Sequence, residues 1–536
     1  MRRKFMTLIF AVIFIFASCP VFADNLPAQF DLRLCHRSPL RGNHQKGTET
    51  CWAFASIASL ESTYMTKFNA EDPDLSEMFV AYFVYGDPRE GKSFPNIYNF
   101  SNVLNIGGIA NFAEAFMSKA GIVKDSVLPF TISISKKPDK LPEEYESSGI
   151  RLSETCNFGK YYVTDDLKPC LKELIFNYGA VYVAYYTNSS GYSTFTDSDN
   201  YQAKAYYHNG YITSGHAVAV IGWDDNFSRE NFQESMRPSR NGAWLISNSN
   251  PDNGGGYFFW MSYEQKMHDA YLFIADKSPE KLKHYGYDEL GISDFSTYKV
   301  GDTKSAANIF MPESDETLKY AGFYTVGFDS NYTVEVYDLG KTLPASPVKG
   351  SLIASINGSK HYPGYITEEF KDNVPLLKDH YFSVVVSVNY DSSLGLQRNG
   401  TPVIPVNAYY VNAKSEWQKV SADNSENKAA CIKAFTVPGI TASELALTGT
   451  LKENYQASES YSASLKASGG IKPFKWKVNN NLPEGVNYRI TGDSDSEIKF
   501  SGAPAKSGTH TVNITLEDRI GVKVSKSFTL KVMHLI

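Results

Sequence analysis

The chain has 536 residues, a formal net charge of −6 and a hydrophobic content of 42%. Its length is enough for three or four domains at roughly 150 residues each, and the hydrophobic content supplies ordinary cores. The acidic balance and a pI near 6.0 argue against a nucleic-acid partner. An aromatic content of 14% is typical of β-rich, secreted proteins.

Residues 1–23 have the pattern of a secretory signal peptide. Basic residues at the start are followed by an apolar stretch over residues 8–17 and a small-residue cleavage site that ends at Ala23. Because the apolar stretch is short for a bilayer span, we expect a secreted or cell-surface mature chain that begins near Asp24 and has no transmembrane segment. A lipoprotein anchor at Cys19 is the less favoured alternative.

The segment QKGTETCWAFASIASLES contains the first candidate catalytic group. A run without Gly or Pro begins at Cys51, and it predicts a helix whose unpaired N–H groups point at the sulfur and stabilise a thiolate. Gln45 lies upstream, where its side-chain amide can join the Cys51 N–H in binding an oxyanion. A cysteine of this kind, considered alone, is more often a buried core residue, so the assignment depends on partners elsewhere in the chain.

Two distant residues supply those partners. His216 precedes the apolar run AVAVI, which predicts a buried strand with the histidine at its edge. Asn248 follows another apolar strand and precedes a polar, Gly-rich turn. A catalytic cysteine needs a base and a group that orients the base. We therefore interpret Cys51 as a nucleophile, His216 as its base and Asn248 as the orienting group.

Several segments, in the same order along the chain, resemble the papain-like (C1 family) cysteine peptidases over roughly residues 26–275. They read FDLR, QKGTETCWAF, LSE, NIGGIANFAEAF, GHAVAVIGW and ISNSNPDNGGGY. The resemblance implies an α+β papain-like fold with a helical half and a β-barrel half. It also implies chemistry without a metal or cofactor, performed by four catalytic residues: Gln45, Cys51, His216 and Asn248.

The same resemblance implies how substrate is bound. Gly107 and Gly108 would pair with the extended substrate backbone, because glycine allows close main-chain approach. Small side chains, those of Ala110, Ala184 and Ala217, match the family's main specificity pocket. They predict a roomy apolar pocket that accepts Leu, Phe or Tyr two residues before the scissile bond.

The sequence departs from the family pattern at two places near the site. Residues 48–50 read Thr-Glu-Thr where the family has Cys-Gly-Ser, so a disulfide common in the family cannot form. The Glu49 carboxylate should raise the pKa of the nearby thiol by like-charge repulsion. Asn250 stands where the family has Trp, which leaves the histidine–asparagine hydrogen bond less shielded from water unless Trp244 or Trp260 covers it.

The cysteines other than Cys19 and Cys51 could form two bridges in three different pairings. They are Cys35, Cys156, Cys170 and Cys431. The most local pair is Cys156 with Cys170, and an oxidising destination favours that bridge over isolated thiols.

From about residue 281 the sequence pattern changes. Short β-rich runs separated by turns over residues 281–438 predict a β-sandwich that resembles the lectin-like domain following papain-like domains in some bacterial surface proteins. Residues 445–536 alternate with period two and resemble the immunoglobulin-like repeats of such proteins. The predicted organisation is thus a signal peptide, a peptidase domain over residues 24–280 and two all-β sandwich domains. The sandwiches are candidates to bind a cell-surface glycan or protein, but such a module also serves simply to pack on its neighbour.

These observations predict a secreted papain-type endopeptidase that hydrolyses protein or peptide substrates through a thioester on Cys51. A transpeptidase or cell-wall peptidase with the same catalytic residues is one alternative. A bacterial surface adhesin or binding protein with a decayed papain-like domain is another, suggested by the changed residues before Cys51 and by the two sandwich modules. Retention of all four catalytic residue types favours an enzyme.

Overall fold

The structure is a computed structural model whose described residues divide into two compact units. Unit 1 comprises the described residues up to 113, those in 124–141 and those in 155–275; unit 2 comprises those in 114–123, in 142–154 and from 276 onward. The described residues are 26–85, 100–119, 121–133, 138–140, 142–158, 163–197, 200–211, 214–278, 281–288, 305–389, 396–399, 407–411, 416–419, 427–440, 442–479, 481–492 and 495–534.

The predicted signal peptide and Cys19 lie outside the described residues. Within the part of the chain that is described, no helix combines the length and apolar character needed to cross a membrane.

Unit 1 carries most of the helical residues. The helices are α1 (Cys51–Phe68), α2 (Glu77–Phe83), α3 (Phe100–Leu104), α4 (Ala110–Met117) and α5 (Lys168–Asn177), and α4 ends in unit 2. Helix α1 contains neither Gly nor Pro, and it ends at Asn69, which adopts the left-handed conformation common at helix ends. Helix α2 begins where the Ser76 side chain accepts a hydrogen bond from the Phe79 N–H.

The strands between Gln29 and Lys277 form the sheet of unit 1, although residues 150–154 and 276–277 belong to unit 2. They are β1 (Gln29–Asp31), β2 (Ile150–Asn157), β3 (Val181–Thr187), β4 (Tyr192–Thr196), β5 (Gln202–Tyr206), β6 (Ser214–Asp224), β7 (Ala243–Ser247), β8 (Phe258–Ser262) and β9 (Met267–Lys277). Their order is β2-β9-β3-β6-β7-β8-β5-β4, and β1 pairs with β6. The central strand β6 is buried from His216 through Trp223, as its apolar run predicts.

Hydroxyl groups fasten helix α1 to this sheet. Ser59 Oγ donates to Ala180 O at 2.6 Å and accepts from the Phe273 N–H at 3.1 Å. Thr63 Oγ1 makes the same kind of paired contact, donating to Phe273 O at 2.8 Å and accepting from the Ala275 N–H at 3.0 Å. These side chains satisfy backbone groups of the strands that would otherwise be buried without partners. The position of α1 along the sheet is therefore fixed.

Unit 2 contains two β-sandwiches. The first is built from β10 (Lys283–Tyr285), β11 (Ser305–Phe310), β12 (Glu316–Thr325), β13 (Ser330–Gly340), β14 (Ser351–Lys360), β15 (Gly364–Leu376), β16 (Tyr381–Val388), β17 (Leu396–Asn399), β18 (Ala408–Val411), β19 (Trp417–Lys419), β20 (Asn427–Ala430) and β21 (Lys433–Pro438). Strands β10-β21-β12-β15 face the sheet β14-β13-β16-β11-β18-β19, and both contribute side chains to one core.

The second sandwich follows from residue 446. Its strands are β22 (Ala446–Thr448), β23 (Asn454–Gln456), β24 (Tyr461–Ser468), β25 (Lys475–Val478), β26 (Val486–Thr491), β27 (Glu497–Gly502), β28 (Gly508–Glu517) and β29 (Lys523–Met533). They form the sheets β22-β24-β27-β26 and β23-β29-β28-β25 around a single apolar core. Its resemblance to immunoglobulin-like repeats stays a prediction.

The predicted disulfide between Cys156 and Cys170 stays a prediction. Cys156 lies within β2 and Cys170 within α5, and each of these elements buries its cysteine. A bridge requires Cα atoms about 4.4–6.8 Å apart with suitable Cβ directions.

Glu61, in the middle of α1, is a buried acid. Its carboxylate accepts from Arg41 and from the Leu75 N–H at 2.7 Å. Burial raises the pKa of Glu61 to about 7, although Arg41 and the Leu75 N–H oppose the shift. Burial and then the Glu61 charge raise the pKa of the neighbouring Glu77. The two acids therefore bind protons more readily in the folded than in the unfolded chain.

Stability should decrease as the pH rises across the titration of Glu61. The pKa of Glu61 is higher in the folded chain than in the unfolded chain, where it is about 4.3. Protonation of Glu61 therefore contributes fully to stability below that pH, and the contribution is lost as the pH passes about 7. We expect the Tm of the full chain to fall over this window and Glu61→Gln to flatten the fall. Glu230→Gln, at an exposed position, is the matched control and should keep the wild-type slope. Parallel Tm curves for wild type and Glu61→Gln would contradict this account.

Candidate active site

The sulfur of Cys51 lies at the first residue of α1, beside strand β6. The backbone N–H groups of Ala217, Trp52 and Cys51 itself lie near enough to the sulfur to lower the pKa of the thiol, although burial outweighs them. Because Ala217 directly follows His216, the contact brings the sulfur and the histidine to the same end of β6. The structure thus places together two residues that lie 165 positions apart in the sequence.

His216 and Asn248 form the second part of the site. The imidazole Nε2 lies 2.8 Å from Asn248 Oδ1, and both side chains are buried. The Asn248 amide nitrogen donates to Asn250 O at 2.8 Å and to Gly256 O at 2.6 Å, so the amide oxygen must face the ring. The turn after β7 thereby sets the orientation of the imidazole.

Ser249, to which the family resemblance assigned no role, positions Gln45. Ser249 Oγ donates to Gln45 Oε1 at 2.8 Å, and the Gln45 backbone N–H donates to Ser249 O at 2.9 Å. The Gln45 side-chain nitrogen donates one hydrogen to Thr48 O. Its second hydrogen remains for another acceptor. The serine that follows Asn248 in the ISNSN segment was the available sequence signal.

Hydrogen bonds hold the loop where the family has a disulfide. Thr48 Oγ1 donates to Gln45 O at 2.7 Å and lies 2.7 Å from Thr50 Oγ1. The Glu49 backbone N–H donates to Leu104 O at 2.9 Å, at the end of α3. These bonds replace a covalent link in connecting the loop before Cys51 to the segment that carries Gly107 and Gly108.

The protein environment favours neutral forms of the reacting pair. Burial raises the pKa of the Cys51 thiol to about 11, and the Glu49 charge adds to the increase while the backbone N–H groups oppose it. Burial also lowers the pKa of His216, and the hydrogen bond to Asn248 opposes that decrease. Glu49 thus raises the pKa of the thiol, as expected from the sequence.

The ring that packs on His216 is that of Tyr185, from β3. The two ring centroids are 5.9 Å apart and the planes are inclined by 64°. Tyr185 is fully buried, and its hydroxyl lies 3.0 Å from that of Tyr192. The two candidates considered from the sequence pack elsewhere, Trp244 on Tyr263 and Trp260 on Phe227. Pattern reasoning missed Tyr185 because its contact depends on the β3–β6 register, which pairs it with His216.

The five residues expected to bind substrate are distributed around this site. Gly107 has a positive φ of 84°, and a Cβ at Gly108 would lie 2.3 Å from the Trp52 ring, so both positions require glycine. Ala110 begins α4, and its N–H lies near enough to the Tyr182 hydroxyl to oppose the rise in the pKa of that group. Ala184 pairs with Ala217 across β3 and β6.

No group of three or more His, Cys, Asp or Glu side chains among the described residues could hold a metal ion.

Comparison with known proteins identifies the class to which this fold and site belong. The family model "Papain family cysteine protease" matches residues 26–272, and the model "Lectin like domain" matches residues 284–436. The chain therefore contains a papain-family cysteine protease domain and a lectin-like domain. The expected papain-like fold followed by β-sandwich domains is confirmed.

Two solved structures are similar to this chain in fold. One is the clostridial cysteine protease Cwp84 after propeptide cleavage, with 21% identity and a TM-score of 0.61 over 77% of this chain and 99% of that chain. The other contains the cysteine protease and lectin-like domains of Cwp84, a surface layer associated protein of Clostridium difficile, with 21% identity and a TM-score of 0.60 over 77% and 90% of the two chains. At this identity the likeness concerns the fold. A search of curated protein sequences finds no match.

Glu49→Gln should make Cys51 more reactive at low pH. Removing the carboxylate lowers the pKa of the thiol, since the Glu49 charge is one of the causes that raise it. We expect the midpoint of the pH–rate profile for alkylation of Cys51 by iodoacetamide to move down by roughly half a pH unit, as for one partly screened charge. An unchanged or raised midpoint would show that Glu49 does not act on the thiol. Asp252→Asn, another exposed acid in unit 1, controls for general surface charge.

Tyr185→Leu should loosen His216 and admit water to its ring. We expect kcat for peptide hydrolysis to fall about tenfold or more, because misplacement of a catalytic group is costly. The pKa of His216 should rise once the ring is less buried, which moves the limb that reports loss of the imidazolium proton to higher pH. Tyr185→Phe keeps the ring and should keep both properties. If Tyr185 has only a structural role, Tyr185→Leu will lower the amount of folded enzyme. The enzyme that remains folded will then keep the wild-type position of the pH limb set by His216.

Proposed function

We propose that the protein is a papain-type endopeptidase in which Cys51, His216 and Asn248 act as a catalytic triad and Gln45 supplies an oxyanion donor. The Cys51 sulfur attacks a peptide carbonyl as its proton passes to His216. The tetrahedral oxyanion receives hydrogen bonds from the Gln45 side-chain amide and the Cys51 backbone N–H. His216 then protonates the leaving amine, and the C–N bond breaks to give a thioester.

Water completes the reaction. His216 takes a proton from the attacking water, the new tetrahedral species expels the sulfur, and the products are a carboxylic acid and the Cys51 thiol. Asn248 holds the imidazole in one orientation throughout. Each step uses a group that is already in place.

The observation that carries this proposal is the joint placement of sulfur, imidazole and carboxamide at the end of β6. The Ala217 N–H lies near enough to the sulfur to lower the pKa of the thiol, and the His216 Nε2 lies 2.8 Å from Asn248 Oδ1. A decayed, purely adhesive domain has no need to keep Gln45 fixed by Ser249 or His216 covered by Tyr185. The same contacts argue for retained chemistry, and water is the simplest acceptor for the acyl group.

Substrate preference follows from the small residues beside the nucleophile. Ala110, Ala184 and Ala217 leave room for a bulky side chain, so the enzyme accepts Leu, Phe or Tyr two residues before the scissile bond. Extended substrate backbone pairs with Gly107 and Gly108. A protein or peptide is therefore the substrate.

The protein acts outside the cell, at or near its surface. The signal-like pattern of residues 1–23 and the lectin-like domain support this location. The described Cwp84 structure belongs to a surface layer associated protein, which is consistent with it. The sandwich domains are assigned to a cell-surface glycan or protein, and binding by the lectin-like domain on its own would test that assignment.

Active-site labelling tests the proposal on the full mature chain. A peptidyl epoxide with Leu in the second position should add one equivalent to Cys51, as measured by intact mass and peptide mapping. His216→Ala should abolish labelling, because no base remains to receive the thiol proton. Casein cleavage should disappear in Cys51→Ser.

The matched control is His361→Ala, which removes a histidine from unit 2 and should be labelled like the wild type. If the folded wild-type chain does not react with the epoxide, the proposed peptidase activity is refuted. Labelling followed by transfer of the acyl group to an added amine, without hydrolysis, would instead identify a transpeptidase.

A further inference from the structure

The first sandwich of unit 2 contains a lysine–aspartate pair that solvent does not reach. Lys433 is the first residue of strand β21, and Asp288 follows strand β10 by three positions. The Lys433 Nζ donates to Asp288 Oδ2, and both side chains are 0% exposed. The two residues lie 145 positions apart, and strands β10 and β21 are paired with each other. The contact therefore joins the beginning of this sandwich to its end.

Aromatic side chains cover the lysine. Its Nζ lies 5.1 Å from the centroid of the Tyr324 ring and 5.4 Å from that of Tyr365. Both tyrosines are buried, and their ring centroids are 5.1 Å apart. Cys431, two positions before the lysine, is buried as well. Water is thus excluded from the place where the amine meets the carboxyl group.

A charged pair at this place is costly, because neither ion keeps its hydration. Asp288 Oδ1 is buried and has no hydrogen-bond partner among the described residues, so half of the carboxylate is unsatisfied. Burial lowers the pKa of Lys433, but the Asp288 charge does most to reverse this effect and the net shift is upward. The ammonium form therefore depends on the charged carboxylate. Transfer of one proton from Nζ to Asp288 removes both charges and leaves an amine beside a carboxylic acid.

We propose that Lys433 and Asp288 form an intramolecular isopeptide bond. A desolvated lysine amine is a nucleophile. The Nζ lone pair attacks Asp288 Cγ, the bond from Cγ to the hydroxyl oxygen breaks, and the departing hydroxyl takes a proton from Nζ and leaves as water. One amide and one water molecule are formed, so the step needs no oxidant and no further reactant. The covered site favours the amide, since hydrolysis requires water to return.

The bond connects the first and last strands of the sandwich covalently. Closing a loop of this length restricts the unfolded chain, as a disulfide does, and so favours the folded state. An amide differs from a disulfide in that a reducing medium does not open it. The inference concerns unit 2 alone and goes beyond the proposed peptidase function, on which it does not depend.

Mass spectrometry tests the bond on the full mature chain carrying Cys51→Ser, which cannot cleave itself. Under denaturing and reducing conditions, the intact mass should be lower than the sequence mass by one water molecule. A digest should contain one branched peptide that joins Asp288 to Lys433. Lys433→Arg keeps a cation beside Asp288 but should restore the full mass and separate the two peptides. Asp288→Asn should keep the link, with loss of ammonia in place of water.

Lys360 and Glu154 supply a matched control within unit 2. The Lys360 Nζ donates to the Glu154 carboxylate, and the lysine is 2% exposed whereas the glutamate is 35% exposed. Water reaches this carboxylate, so the peptides that contain these two residues should be recovered unlinked.

The mass of the folded Cys51→Ser chain decides the question even if the other variants do not fold. A full sequence mass, with separate peptides for Asp288 and Lys433, would overturn the inference. A loss of water that maps to other residues would do the same. Failure of the proposed peptidase function would leave these masses unchanged, because the bond forms in unit 2 without Cys51.

Discussion

The attachment of helix α1 to the sheet is the constraint on which the site depends. Ser59 and Thr63 bond to backbone groups at Ala180, Phe273 and Ala275, so the helix cannot slide along the strands without leaving buried polar groups unsatisfied. Because Cys51 is the first residue of this helix, fixing the helix also fixes the sulfur. With the helix in this position, the Ala217 N–H lies near the sulfur. A nucleophile at the end of a firmly held helix needs little reorganisation when substrate arrives.

The same burial that organises the site also sets its electrostatics. It raises the pKa of the thiol and lowers the pKa of His216, and both shifts disfavour a thiolate–imidazolium pair in the empty cleft. His216 is buried and Cys51 is partly exposed, so a charged pair here is costly unless a substrate dipole or oxyanion accompanies it. The residues around the pair act in the opposite direction through fixed hydrogen bonds. Asn248 stabilises the protonated ring, and backbone N–H groups stabilise the sulfur anion. Charge separation is therefore favoured most when the carbonyl carbon is attacked.

Sequence reasoning selected candidate site residues from segments with recognisable patterns. Gln45, Cys51, His216 and Asn248 each lie in a segment whose pattern of strand, turn or helix can be read from the sequence, and the structure places His216 against Asn248 and Gln45 against Ser249. Ser249 and Tyr185 were not assigned because their contacts come from a neighbouring turn and from strand register, which no local pattern specifies. The sandwich domains were predicted as a class from their alternation, but their strand order was not predictable from it.

The loop before Cys51 shows how the chain does without the disulfide that is common in its family. Thr48 and Thr50 share a hydrogen bond, and the Glu49 N–H reaches Leu104. Together these bonds hold Gln45 near the sulfur and keep the segment leading to Gly107 in place. Hydrogen bonds of this kind each contribute about 1 kcal/mol, less than a bridge, yet they do not depend on redox state. A reducing medium keeps a cysteine thiol reduced and leaves these hydrogen bonds intact. The proposed oxyanion donor and nucleophile can thus keep their positions under conditions that would open a loop held by a disulfide. The same loop carries Glu49, whose charge makes the Cys51 thiol harder to ionise.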